Sequence, residues 1–359
     1  MNFRSLRQTF GRMSNDATAY IGSERRPVRD GPDSQGDHMT TERVFIVAQK
    51  EFADHITGWH YLVVLALFLG LTLVGTYGGI ERYQGDLTRY TEDLIAMETA
   101  DDGPERMMPP VAPPVEGIYS SMFLTLVSYG GILALAIGFD LVSKEKESRS
   151  LKTLLARPVF RDEIINGKAL GGIALLVLIV GSVLALSTAY LLVCSIVPSP
   201  DDLWMILTYA GVTLLFLVTF FSIALAFSTL CRESGSALLL SLAVFILITF
   251  LIPFVTTNIG TALMMEKPDP AAYGGDTRSE GYQAEITAHL EQTRMVESAV
   301  NLLSPQMAIN TLIQRIHSYQ GTTLEDTLGR IWSSVVALTL YPVVFFAVAY
   351  TRFMRMDLR

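Results

Sequence analysis

The chain alternates between long runs without charge and shorter polar stretches, and the spacing of that alternation sets its architecture. Six apolar runs are long enough to cross a bilayer as helices: Tyr61–Ile80, Tyr119–Leu141, Ala169–Val197, Leu203–Cys231, Ser236–Ile259 and Ile331–Tyr350. A helical crossing takes about 20 apolar residues. Backbone polar groups in lipid must be paired within the segment, so the runs are expected to be helices, and the predicted fold class is an all-α membrane protein. Before the first run, Val44, Phe45, Ala48, Phe52 and Ile56 recur at helical spacing. Arg43, Lys50, Glu51 and Asp54 occupy the rest of that wheel. This pattern predicts an amphipathic helix over 42–57 lying at the membrane interface, with Trp59, His60 and Tyr61 in the headgroup belt.

The polar stretches differ in kind. Residues 1–40 are polar, contain Arg and Gly, and lack the apolar core of a signal peptide; they are expected to form a disordered tail. Met39-Thr40-Thr41-Glu42 is a second candidate start of translation. The membrane domain is expected to cover 41–359, with two long outer segments, 81–118 and 258–330. The first ends in the Pro-rich MMPPVAPPVEG, an extended spacer. The second carries a helical stripe of Ile286, Leu290, Val296, Val300 and Leu303. Ser304-Pro305 then opens a further helix, with Ile309, Leu312, Ile313 and Ile316 on its apolar side.

Charge orients the bundle. The stretch between the second and third runs holds Lys144, Lys146, Arg149, Lys152, Arg157, Arg161 and Lys168, whereas Pro198–Asp202 holds no Lys or Arg and two Asp. The bias of basic residues toward the inner side places that stretch, and both termini, in the cytoplasm. The total of −8 hides this segregation.

Composition and motifs exclude several kinds of chemistry. Half of the residues are hydrophobic and 17% are charged, well below the roughly 25% of soluble domains. There is no G-x-x-x-x-G-K-[ST] phosphate loop, no H-E-x-x-H, no G-x-S-x-G and no C-x-x-C. Cys194 and Cys231 sit in apolar runs as small hydrophobes. Apart from Asp140, at the inner end of the second, the runs carry no ionisable groups of the kind that move protons or ions. No cofactor, metal or nucleic-acid partner is expected, and a chain of this kind that moves something must draw its energy from elsewhere.

The 29-residue stretch Asp140–Lys168 is the candidate for that input. Apolar runs pin it at both ends. Lys144 to Arg149 alternates in sign and is expected to extend the second span as a helix. Leu151, Leu154 and Leu155 form an apolar edge, and Pro158 ends the helix because it has no N–H and disfavours helix at Arg157. A short helix from Arg161 or Asp162 is expected to feed the third span. An apolar edge ringed by Lys152, Arg157 and Arg161 suits a groove on a partner protein; plain positive-inside loop chemistry is the alternative.

Phe139-Asp140-Leu141, Glu145-Lys146-Glu147, Ser150-Leu151-Lys152-Thr153-Leu154-Leu155, Arg157-Pro158-Val159-Phe160-Arg161 and Gly167-Lys168 together resemble the docking segment of ATP-binding-cassette permeases of the type-2 superfamily. Gln49-Lys50-Glu51-Phe52 and Leu303-Ser304-Pro305 extend the resemblance. Arg149-Ser150 stands where many relatives have Gly-Thr. Within the superfamily the chain looks closest to permeases related to the nitrous oxide reductase maturation transporter. The resemblance implies a non-catalytic, plasma-membrane permease subunit, an exporter, paired with itself or a related permease. It implies docking of separate ATPase subunits on a coupling segment, 142–168, through Glu145, Glu147, Arg149, Leu151, Lys152, Leu154, Leu155, Arg157, Pro158 and Arg161. The competing readings are a lipid-modifying membrane enzyme, with a site among Asp201, Asp202, His289 and His317, and a membrane scaffold or sensor.

Overall fold

A computed structural model describes residues 34–99, 110, 112–148, 160–255, 268–273, 278–317 and 324–356. Every regular element among them is helical. In chain order they are α1 (Ser34–Thr57), α2 (Trp59–Thr99), α3 (Glu116–Gly138), α4 (Ser143–Glu147), α5 (Arg161–Val193), α6 (Pro200–Leu230), α7 (Ser234–Ile246), a π-helical turn (Leu247–Leu251) and α8 (Ile252–Val255). A 3₁₀ turn (Pro270–Tyr273), α9 (Glu280–Leu303), α10 (Pro305–His317) and α11 (Leu324–Met354) complete the order. Six described helical segments are long and apolar enough to cross a membrane.

The helix ends follow local sequence. Ser199 caps α6: its Oγ accepts from the Asp202 N–H at 3.3 Å, Asp202 Oδ2 accepts from the Ser199 N–H at 2.7 Å, and Pro200 takes the first helical position. α2 runs past Ile80 to Thr99, further than the apolar run suggested. Glu81–Thr99 contains no proline and many good helix formers, so nothing stops the helix where the lipid-compatible composition ends. α3, by contrast, does not run on through Lys144. The chain turns at Phe139–Val142 before the short α4. The third span is one continuous helix from Arg161, not a short helix feeding another.

The chain forms two compact units, Met1–Ser241 with Pro342–Arg359, and Leu242–Tyr341. In the first, α3 packs along both α2 and α6, and α1 lies on α5. Phe68, Ile118, Met122, Phe123, Tyr209, Phe216, Phe220 and Phe221 are fully buried there. Glycines bring the helices together. A Cβ on Gly75 would come within 2.9 Å of Met122 Cα, and one on Gly79 within 2.7 Å of the Ile118 carbonyl oxygen. This four-residue spacing of small residues lets two backbones approach closely where lipid gives no hydrophobic drive to pair.

In the second unit, the π-helical turn precedes Pro253, which has no N–H to return to the previous turn. The Ser304 hydroxyl donates to the Ile248 carbonyl of that turn at 3.0 Å. Ser304 and Pro305 begin α10, as their sequence signals, and Ile309, Leu312 and Ile313 are buried. The side chain of Ile316 lies outside the described ones.

Candidate coupling site at the charged end

Asp140–Lys168 starts and ends against the same end of the first unit, and a buried lysine joins its two ends. Phe160, in extended backbone, precedes α5, and its N–H donates to Glu163 Oε2 at 2.9 Å. Asp162 and Glu163 place negative charge in the first turn, where the helix dipole favours it. Two turns on, Lys168 is 1% exposed. Its Nζ donates to Glu51 Oε1 of α1 at 3.0 Å and to Glu145 Oε1 of α4 at 2.7 Å. Lys50 adds a second cation, 3.4 Å from Glu51 Oε1 and 3.1 Å from Asp54 Oδ2. An isolated ammonium at this depth would be prohibitively costly; two carboxylates make it tenable.

Two glycines make the triad geometrically possible. A Cβ on Gly167 would meet the Val47 side chain at 2.5 Å, and one on Gly171 would meet Glu51 Cβ at 2.9 Å and the Ala48 carbonyl at 3.0 Å. α1 therefore rests on the bare backbone of α5, and the face it buries is Val47, Ala48 and Glu51. The apolar stripe anticipated for the lipid interface is divided differently: Phe45 is 68% exposed, while Glu51, placed on the polar side of the wheel by composition, turns inward.

Titration follows from this packing. Burial alone would raise the Glu51 carboxyl, but Lys168, then Lys50, outweigh it and hold it below the ordinary carboxylate value. Its contribution to stability is present above the unfolded value and is lost only as pH falls through the lower folded one. His55 behaves differently. Burial pushes its ring below 6.5, against the pull of Glu51, Asp140 and Asp54 and with the help of Lys168. The unfolded chain then binds a proton more readily than the folded one, so stability should decline as pH drops below the ordinary histidine value. Thermal unfolding in detergent between about pH 7 and about pH 5 should show that decline, and His55→Gln should flatten it.

α4 is fastened to the end of α6. The Ser228 hydroxyl accepts from the backbone N–H groups of Val142, at 2.9 Å, and Ser143, at 3.0 Å. These bonds satisfy the turn that interrupts the α3–α4 path. Lys146 Nζ donates to three backbone carbonyls, Ser228 at 3.1 Å, Thr229 at 2.6 Å and Cys231 at 2.9 Å. A cation among the last carbonyls of a helix is favoured by the dipole as well. Glu147 Oε2 accepts from the Ser234 N–H at 3.3 Å and hydroxyl at 3.1 Å, at the start of α7. Lys146→Met should free α4 from α6 at a cost of roughly 1–3 kcal/mol, read as a lower unfolding temperature and faster proteolysis within 139–148.

Of the residues singled out from sequence for coupling, Glu145 and Glu147 lie in this network. Arg161 donates to the carbonyls of Met354, the last residue of α11, at 3.2 Å and of Met356, just past it, at 2.7 Å. Arg149, Leu151, Lys152, Leu154, Leu155, Arg157 and Pro158 lie outside the described residues. Sequence reasoning passed over Glu51, Lys146, Lys168, Ser228 and Ser234 as site residues. Lys168 and Glu51 were visible as parts of the family-like pattern, but nothing in their spacing showed that they would be buried together. Of the residues considered for an enzymatic site, Asp202 is engaged in capping α6. The side chains of Asp201 and His317 lie outside the described ones.

Beside the triad, the first unit has an open cavity of about 640 Å³. It is lined by α1 from Lys50 to His55, by Trp59, Tyr61 and Val64 at the start of α2, and by Ala136, Ile137, Asp140, Leu141 and Lys144 around the end of α3.

Residues 45–358 match the family model described as ABC-2 family transporter protein. No individual curated protein matches the chain significantly.

Proposed function

Because the chain belongs to the ABC-2 family of transporters, and is thus a multi-pass permease subunit of an ABC transporter, we propose that it is an exporter driven by ATP hydrolysis on separate ATPase subunits. The observation that carries this reading is the Lys168 triad. It ties the first residues of the charged segment to α1 and α5, while Lys146 and Ser228 tie them to α6. A push on the segment therefore cannot be absorbed locally; it reaches three helices through buried, charge-assisted bonds. The absence of a phosphate loop from the sequence fits an ATPase supplied by another chain. On this reading the charged end is cytoplasmic, both termini are cytoplasmic, and two permease copies or two related permeases line the path.

The docking edge is Leu151, Leu154 and Leu155, flanked by Lys152, Arg157, Pro158 and Arg161. Replacing Leu154 and Leu155 with Asp should abolish copurification of the ATPase while the protein still inserts in the membrane and elutes as a single species. A carboxylate placed at an apolar contact would be buried without a partner, a cost the interface cannot absorb. ATPase recovery equal to that of the parent would rule out the assigned edge. In a chain with Cys194 and Cys231 replaced by Ala, cysteines placed at 149 and 152 should be labelled by an impermeant maleimide only after the cells are opened, which tests the sidedness separately.

A further inference from the structure

The cavity beside the triad has two walls of opposite chemistry, and the coupling network needs neither wall to be hollow. Its volume of about 640 Å³ falls within the roughly 300–1,000 Å³ of sites that enclose small ligands. One wall comes from the first turns of one membrane span and the last turn of another: Tyr61, Val64, Ile137 and Leu141. The other is a rim of two cations and two carboxylates, Lys50, Asp54, Asp140 and Lys144.

The rim is paired but open to solvent. Lys50 meets Asp54 at 3.1 Å, Lys144 reaches Asp140 only at 3.9 Å, and Lys144 is 73% and Asp54 49% exposed. On the floor, Lys168 is committed to Glu51 and Glu145. His55, also on the wall, is pushed toward its neutral form by burial. The rim thus balances near zero while keeping both signs within one opening, over an apolar wall at the end of the spans. A free phosphate would leave the apolar wall unused. An anionic headgroup would face two carboxylates without a cation of its own to offer them. A headgroup that carries phosphate and ammonium together answers both signs. Carboxylates accept N–H bonds from a primary ammonium, which a quaternary one cannot donate.

We propose that this cavity seats a zwitterionic phospholipid with a primary ammonium, of the phosphatidylethanolamine type. The ammonium lies at Asp54 and Asp140, the phosphate at Lys144 and Lys50, and the upper acyl chains run along Tyr61, Val64, Ile137 and Leu141. A lipid seated there would stand between α1 and the end of α3, beside the link from α1 to α4 that Lys168 makes through Glu51 and Glu145. This site does not depend on the ATPase-docking edge, and its test uses the permease alone.

Trp59 lines the cavity and reports on it. In a variant carrying Trp204→Phe and Trp332→Phe, Trp59 is the one remaining tryptophan. The full chain is placed in phosphatidylcholine nanodiscs doped with a lipid whose acyl chains are brominated. Brominated phosphatidylethanolamine should quench Trp59 with a midpoint about tenfold lower in mole fraction than brominated phosphatidylcholine or phosphatidylglycerol. Asp54→Asn with Asp140→Asn should bring phosphatidylethanolamine to the phosphatidylcholine midpoint, and Lys144→Ala should raise its midpoint in the otherwise unchanged chain. If the double variant is not monodisperse, Asp54→Asn alone, at the exposed lip, carries the test. Equal quenching by the three lipids overturns the proposal. So does a preference for phosphatidylglycerol, indifference to the aspartate substitutions, or displacement of the lipid by soluble phosphoethanolamine at comparable concentration.

Discussion

Lys168→Met should cost about 3–5 kcal/mol, because it removes the buried ammonium shared by Glu51 and Glu145 and leaves only Lys50, 3.4 Å from Glu51 Oε1, to offset the two carboxylates. The lost attraction is the smaller part. The larger part is the desolvation of the abandoned carboxylates, which a methionine of similar length cannot offset. Thermal unfolding in detergent, followed by tryptophan fluorescence, should show a large drop in midpoint. The same measurement separates the two parts: adding Glu51→Gln and Glu145→Gln to Lys168→Met removes both carboxylates along with the cation they shared and should restore much of the midpoint, since a neutral buried set can be nearly as stable as a paired ionic one. On the proposed coupling role, the restored protein should still support transport poorly with an ATPase partner, because neutral amides grip α1 and α4 less firmly than ionic bonds. A Lys168→Met protein as stable as the parent would mean that the three charges do not share a buried site.

Gly171→Leu should be the next most damaging change. Its nearest neighbours, Glu51 Cβ at 2.9 Å and the Ala48 carbonyl at 3.0 Å, belong to the part of α1 that lies against α5. A longer side chain has no cavity to enter there, so α1 must move off α5 and take Glu51 away from Lys168. Overpacking of this kind costs roughly 1–3 kcal/mol before the ion pair is counted. Limited proteolysis should cut near Gly58 in the variant and spare the parent. Gly181→Leu is the matched control, because a Cβ there meets nothing within 4 Å. Equal protease resistance in Gly171→Leu and Gly181→Leu would show that the close approach does not hold α1 in place. A Cβ on Gly172, one residue on, would run into the Phe221 ring of α6 and would report on a different contact.

The two predictions expose where the sequence was legible. Each span was readable because its apolar run is long and uncharged, and helix is the backbone geometry that pairs every polar group within one segment. Ser304-Pro305 marked a helix start because capping and the missing proline N–H act over a few residues; the same signal at Ser199-Pro200 was passed over. Where a helix ends was harder to read. α2 outlasts its apolar run because composition suited to lipid ends before composition suited to helix does. α3 stops short of the charged segment because the Ser228 hydroxyl, far along the chain, takes the N–H groups of Val142 and Ser143.

By itself the sequence determined the class of the protein: six apolar runs, a basic segment pinned between the second and third, and no phosphate loop. These rest on local composition, which bilayer thickness and backbone pairing translate directly into structure. Only the tertiary structure decided that Lys168, which the sequence shows as the last charge of a polar loop, lies under α1 with a carboxylate on each side. A charge reads as exposed until a partner distant in the chain is brought against it. Bare glycine backbone on α5 brings Glu51 there, and the fastening of α4 to the end of α6 brings Glu145.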